Sequence, residues 1–192
     1  MNTNLKRDRY SIIVYPSPLI RYYIKGLKNI LAKRVGWYSS RNSEAHITIL
    51  EFDAFESELA MAIRYTKLFC YAQKQFHVSF DKIVNSHINT CVFALPDESS
   101  KPNLNKVLKM FRKNFKGINV KFGTNAHISI ARNMNDKQLN SVDNIFDEID
   151  LNFECDTIAI RKLNSMKGQF EVIYQFNFLG YPPIEGQLDL FE

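Results

Sequence analysis

The 192-residue chain reads as an α+β protein in which a strand-helix-strand-helix-strand unit occurs twice. The expected architecture is two antiparallel sheets flanking a central groove, with helices outside. Three observations predict it. Apolar residues recur at strand spacing and helix spacing in turn along the chain. The order repeats, for Ile12 in the opening strand precedes His46 by 34 positions and Val92 precedes His127 by 35. The closing segments 153–163 and 170–179 are joined by a short Lys167-Gly168 turn, which favours antiparallel pairing.

Each element has its own signal. The segment from Tyr10 to Tyr15 is β-branched and aromatic, the composition of a strand. Ser17 and Pro18 then supply an N-cap and a first-turn proline, and Ile20, Ile24, Leu27 and Leu31 follow at helical spacing. A polar loop leads to a strand at about 46–52, a helix over 57–73 with Leu59, Ile63, Thr66 and Cys70 on one stripe, and a strand over 76–84. The second half begins with a strand over 90–95. Pro102 opens a helix carrying Leu104, Val107, Leu108, Phe111 and Phe115 inward, and a strand follows at 126–132. Asp136 is expected to cap a helix with Leu139, Val142, Phe146 and Ile149 buried, before the two closing strands. The layout predicts one domain over 1–180, with lobes 10–84 and 88–180 related by a pseudo-twofold and the polar stretch from Asn85 to Asn89 as the crossover. Residues 181–192 form a tail.

A hydrophobic content of 45% with 15 Phe and 9 Tyr is enough for a sizeable core and excludes a disordered composition. The net charge of +5 suits a polyanionic partner without requiring one. Cys70, Cys91 and Cys155 are odd in number and widely spaced among apolar neighbours, so they read as reduced core residues of a cytoplasmic protein. No run has membrane-spanning length and no CxxC or HExxH string offers a metal ligand set, so neither a membrane nor a metal or other cofactor is expected.

The chemistry lies in two short strings, His46-Ile47-Thr48-Ile49 and, 81 positions later, His127-Ile128-Ser129-Ile130. On a strand, alternate side chains share a face. His46 with Thr48, and His127 with Ser129, therefore stand on one face while the isoleucines enter the core. Two histidines on opposite walls of a groove can divide proton transfer at a phosphate, one as base and one as acid. The hydroxyls can hold non-bridging oxygens.

Paired HxTx or HxSx strings about eighty residues apart in a small duplicated α+β chain resemble the two-histidine (2H) phosphoesterase superfamily, which includes RNA 2',3'-cyclic phosphodiesterases, also known as bacterial 2'-5' RNA ligases. The resemblance covers the chain from the Tyr10 strand to about Gly180. It implies that His46 and His127 are catalytic, that Thr48 and Ser129 hold phosphate, and that Arg132, in HISIAR, adds a phosphate contact. It implies a two-lobe fold and metal-independent opening of 2',3'-cyclic phosphates on RNA ends or nucleotides. A catalytically idle RNA-end or clamp-associated binding module, and a phosphodiesterase for a non-RNA cyclic phosphate, are the alternatives.

Other features have plainer explanations. His77 fits HxSx too, but stands where the second half has no counterpart, and His87 falls in the polar crossover. The basic run from Lys101 to Lys121, which includes Arg112, reads as the wet face of an amphipathic helix or as an RNA-backbone contact. The tail ends Gln187-Leu188-Asp189-Leu190-Phe191-Glu192. QLDLF resembles the peptide by which bacterial replication and repair proteins dock on the sliding clamp, with Gln187 for backbone contacts and Leu188, Leu190 and Phe191 as apolar anchors. The alternative is a segment folded back on its own lobe. The chain is otherwise expected to be a monomer.

Overall fold

The apolar stripes and turn signals become regular elements in a computed structural model that describes residues 6–142, 145–146 and 149–182. The first half supplies β1 (Asp8–Val14), α1 (Pro18–Val35), β2 (Ile47–Ala54), α2 (Glu56–Ala72) and β3 (Phe76–Ser86). The second supplies β4 (Cys91–Pro96), α3 (Ser100–Asn114), β5 (Ile118–Phe122), β6 (Ile128–Ala131), α4 (Asp136–Asn140), β7 (Leu151–Cys155), β8 (Thr157–Asn164) and β9 (Gln169–Asn177). Ile20, Ile24, Leu27 and Leu31 are buried on one face of α1, and Leu104, Val107, Leu108 and Phe111 on one face of α3. Among the described residues no helix is long and apolar enough to cross a membrane.

Two antiparallel sheets form, in the orders β5-β2-β1-β8-β9 and β6-β4-β3-β7. This is the expected α+β class, but the sheets do not follow the linear lobes 10–84 and 88–180. Strands cross over in both directions: β3 enters the second sheet, and β5, β8 and β9 enter the first. β3, from the first half, pairs with β4, while β8, from the second, pairs with β1. The cause is local: the stretch expected as a crossover is the end of β3 and a hairpin turn over 87–90, since Asn85 already faces Val92 and Ser86 faces Cys91. Strands adjacent in sequence pair readily because their loop is cheap to close.

Three further expectations need correction. The run 153–163 is two strands, broken at Asp156, because β7 belongs to the four-stranded sheet and β8 to the other. The helix expected from Asp136 ends at Asn140, and its cap is Asn135, whose side chain accepts from the Gln138 amide while Gln138 Oε1 accepts from the Asn135 amide. Val142 and Ile149 are buried as expected, but outside that helix. β5 had no signal, for it is an edge strand with almost no buried position.

One continuous core joins the two sheets and the helices, and it includes Tyr10, Ile12 and Val14 of β1. The opposite face of β1 carries a smaller cluster, Ile13, Tyr15 and Ala159. That second face bears the polar side chains described next. The residues 183–192, with Gln187, Leu188, Leu190 and Phe191, lie outside the described residues.

Candidate active site

Both histidine strings begin strands that take the same place beside the opening strand of their unit, β2 against β1 and β6 against β4. Each carries the same irregularity. Ile12 faces Leu50 but Ile13 faces Thr48, so Ile49 is an extra residue. Likewise Val92 faces Ala131 but Phe93 faces Ser129, so Ile130 is extra. A β-bulge one residue after the hydroxyl in both motifs is a structural repeat that residue identity does not reveal. Such bulges re-aim neighbouring side chains and explain why Ile49-Leu50 and Ile130-Ala131 are each buried in succession.

The bulge frees backbone groups that need other partners. The Ile49 carbonyl accepts from the Gly123 amide at 2.9 Å and from Arg112 Nε at 2.9 Å. Arg112 Nη2 also reaches the Thr124 carbonyl, so this arginine ties the first motif to the segment leading into His127. Arg112 is therefore a bracing residue, unlike its solvated neighbours in the basic run. A Cβ on Gly123 would fall against the Thr48 carbonyl oxygen. Gly123→Ala is expected to destabilise by about 1–3 kcal/mol, the usual range for overpacking. Gly26, inside α1 with nothing within 4 Å of a new Cβ, is the control. Gly26→Ala is expected to stabilise by about 0.5–1 kcal/mol. Urea unfolding of both variants reads the contrast.

The two rings are held alike. His46 Nδ1 lies 2.7 Å from the Glu44 carbonyl and His127 Nδ1 lies 2.9 Å from the Asn125 carbonyl, each two residues upstream. A carbonyl only accepts, so each Nδ1 carries the proton, and each neutral ring keeps its lone pair on Nε2. Their surroundings differ. His46 is 7% exposed, and Arg161 Nη1 lies 3.2 Å from its Nδ1. One Nδ1 cannot donate to Glu44 and accept from Arg161. The shorter contact, to an obligate acceptor, defines the hydrogen bond, and Arg161 stands beside the ring as a positive charge. Burial first and that charge second hold the His46 pKa well below its ordinary 6.5. His127 is only half-buried and packs on Phe93, with ring centroids 5.4 Å apart. Burial lowers its pKa too, partly opposed by the hydrogen bond to Asn125.

The register places Thr48 opposite Ile13, on the face of the smaller cluster, and Ser129 opposite Phe93. Ser11 faces Glu51 on one side and Arg161 on the other, and Arg161 Nη2 donates to Ser11 Oγ at 3.0 Å. Glu51 is engaged by Arg9 at 2.9 Å. The Arg132 amide donates to Ser40 Oγ at 2.9 Å, which joins the segment after the second motif to the loop before the first. Beneath that loop Lys28 is buried and donates to the Ser40 and Ser43 carbonyls. Burial, with Arg132 and Arg161 nearby, takes its pKa down to about 8.

His77 stands apart, largely exposed on β3 and 3.1 Å from Glu154 of β7, and His87 is exposed in the hairpin turn. Arg161, Lys28, Ser40 and Phe93 carried no recognisable motif. Among the described residues no group of three His, Cys, Asp or Glu side chains is placed to hold a metal ion.

The chain has the α+β fold of E. coli LigT, with two antiparallel sheets and helices outside them. Among solved structures, E. coli LigT complexed with 3'-AMP superposes with a TM-score of 0.65 at 11% identity, covering 90% of this chain and 99% of that one. The protein TT0787 of Thermus thermophilus gives 0.59 at 14% identity, over 91% and 100% of the two chains. A structure described as a phosphoesterase gives 0.61 at 12% identity, over 90% and 99%. At such identities the likeness establishes the fold. No family model matches the sequence, and no curated protein does.

Proposed function

We propose that the chain is a metal-independent phosphodiesterase that opens 2',3'-cyclic phosphates of RNA ends or nucleotides to 2'-phosphates. The observation that carries this reading is the matched hold on two histidines at the head of equivalent bulged strands, each with Nδ1–H on the carbonyl two residues back. Holding the ring by Nδ1 leaves Nε2 for the substrate.

The asymmetry between the rings supports a division of labour. His46, buried beside Arg161, stays neutral and acts as base, its Nε2 taking a proton from water as the water oxygen bonds to phosphorus. The bond from phosphorus to the ribose 3' oxygen breaks, and His127 Nε2 gives that oxygen its proton. The substrate's own negative charge raises the His127 pKa on binding, which loads the acid. Thr48, Ser129 and Arg132 contact the non-bridging oxygens. LigT itself has been seen with 3'-AMP and with ATP, which supports a nucleotide-sized ligand for the shared fold.

Incubating adenosine 2',3'-cyclic phosphate with the protein in EDTA is expected to yield the 2'-phosphate. A folded protein that binds the nucleotide without turning it over would instead be the idle binding module. The tail supports one partner reading. QLDLF is proposed to engage a sliding clamp, and pulldown on the clamp is expected to be lost on deleting residues 187–192. Equal capture of both proteins would end that idea.

A further inference from the structure

A cavity of about 320 Å³ has a lining that includes Ser39, Ser40, Arg132, Arg161, Gln169 and Phe170. It adjoins the reacting groups through Arg161, which touches His46 from behind, and Arg132, which follows the second motif.

Its charge is unusual. Arg161 is 4% exposed, yet it makes no ion pair among the described residues, and its side-chain hydrogen bond is to a neutral hydroxyl, Ser11. Its Nε–H is buried with no hydrogen-bond partner among those residues. A buried guanidinium normally has a carboxylate. Glu51, the acid on the cavity wall, is held by Arg9 instead, and Glu44 accepts from Tyr15. Lys28, under the loop from Ser40 to Ser43, adds a third positive group to Arg161 and Arg132. Burial weakens even Arg161's hold on its proton, to about 10, although Glu51 and Glu44 oppose it without pairing to the guanidinium. An unsatisfied buried donor calls for an explanation, and an anion in the cavity supplies one.

We propose that this cavity binds a second phosphate of the substrate, with Arg161 as its counter-ion, Arg132 between it and the scissile phosphate, and the polar groups of Ser39, Ser40 and Gln169 at its rim. This rests on the cyclic phosphodiesterase reading, and it narrows the substrate class. A nucleotide whose 2' and 3' oxygens are both tied in the scissile cyclic phosphate has only its 5' oxygen left to carry another. The favoured substrate is therefore a 5'-phosphorylated nucleoside 2',3'-cyclic phosphate, or an RNA end whose preceding phosphodiester occupies the same place.

The test compares three probes: adenosine 2',3'-cyclic phosphate, its 5'-phosphorylated form, and the dinucleotide ApA ending in a cyclic phosphate. Binding to the His127→Ala protein is measured by calorimetry, and kcat/KM is measured with the wild type. A phosphate on the 5' oxygen is expected to tighten binding and raise kcat/KM at least tenfold. A gain with the monophosphate alone would identify a free nucleotide as the substrate, and a gain with ApA would identify an RNA end. Arg161→Gln is expected to bring the ratio near one whatever it does to turnover, and Arg161→Lys to retain part of it. Equal values for all three probes with the wild type would overturn the subsite, with no variant needed. So would a ratio that survives Arg161→Gln. Absence of turnover on every probe would sink the cyclic phosphodiesterase reading, while the binding ratio would still judge the subsite.

Discussion

His46→Ala and His127→Ala are each expected to lower kcat/KM on a nucleoside 2',3'-cyclic phosphate by about 10²–10⁴-fold, the usual worth of a positioned acid or base. The double variant is expected to fall little below the worse single one. On the proposed mechanism base and acid act in one transition state, so once either is gone the other has little left to contribute. A strictly additive double variant would mean that the two rings do not work on the same phosphate. His46 is buried against Arg161, so its loss bears on the fold as well, whereas His127 is half-exposed. Circular dichroism separates lost turnover from lost structure. His46→Gln, which keeps much of the ring's volume, is expected to fold like the wild type and remain as inactive as His46→Ala.

The second large effect is on pH dependence. kcat/KM follows the acid and base of the free protein. His46 must be neutral to act as base, so activity is lost as pH falls through its pKa, which burial and Arg161 hold well below 6.5. His127 must be protonated to act as acid, so activity is lost as pH rises through its pKa, itself lowered from 6.5 by burial. The kcat/KM bell is therefore expected to peak on the acid side of 6.5. In the complex the bound phosphate raises the His127 pKa, so the alkaline limb of kcat should lie at higher pH than that of kcat/KM. Arg161→Met removes the charge beside His46. The acid limb is expected to move up toward 6.5 while the alkaline limb holds nearly still. Equal movement of both limbs, or none, would remove Arg161 from the control of the base.

Much of the fold was legible because the local signals agreed with one another. The stripes of α1 and α3 are those the apolar spacing gives, α2 differs only in burying Ala62 where Ile63 was expected, and the Lys167-Gly168 turn closes the β8–β9 hairpin with Gly168 at a φ of 62°. What escaped was partner choice. The stretch from Asn85 to Asn89 has a linker's composition, and only pairing energetics make it a hairpin that carries β3 into the other sheet. Asp156 looks like a polar position within one strand, yet there the chain leaves one sheet for the next. Val142 and Ile149 kept a helical spacing beyond a helix that stops at Asn140.

At the site, the paired strings were visible because residue types and order both repeat. The paired bulges were not, since a bulge is a mismatch between two strands and has no residue type of its own. Arg161 was hidden for a different reason. A charged residue after Ile158 and Ile160 on a strand reads as the solvent side, and only the second face of β1, closed over by its neighbours, makes that side an interior.

The exchange of β3 and β8 also orders events in time. During synthesis β1 emerges early, but the strand on one of its flanks is β8, with Ile12 waiting for Ile160. At about 5–20 residues per second that interval is on the order of ten seconds. The four-stranded sheet waits less, since β3 and β4 are contiguous and β6 and β7 follow soon after. Arg161 arrives on that late strand, so His46 acquires its charged neighbour only after both histidine strings have been translated. A ribosome-bound nascent chain short of β8 would carry both histidine strings and still lack the guanidinium that stands beside His46.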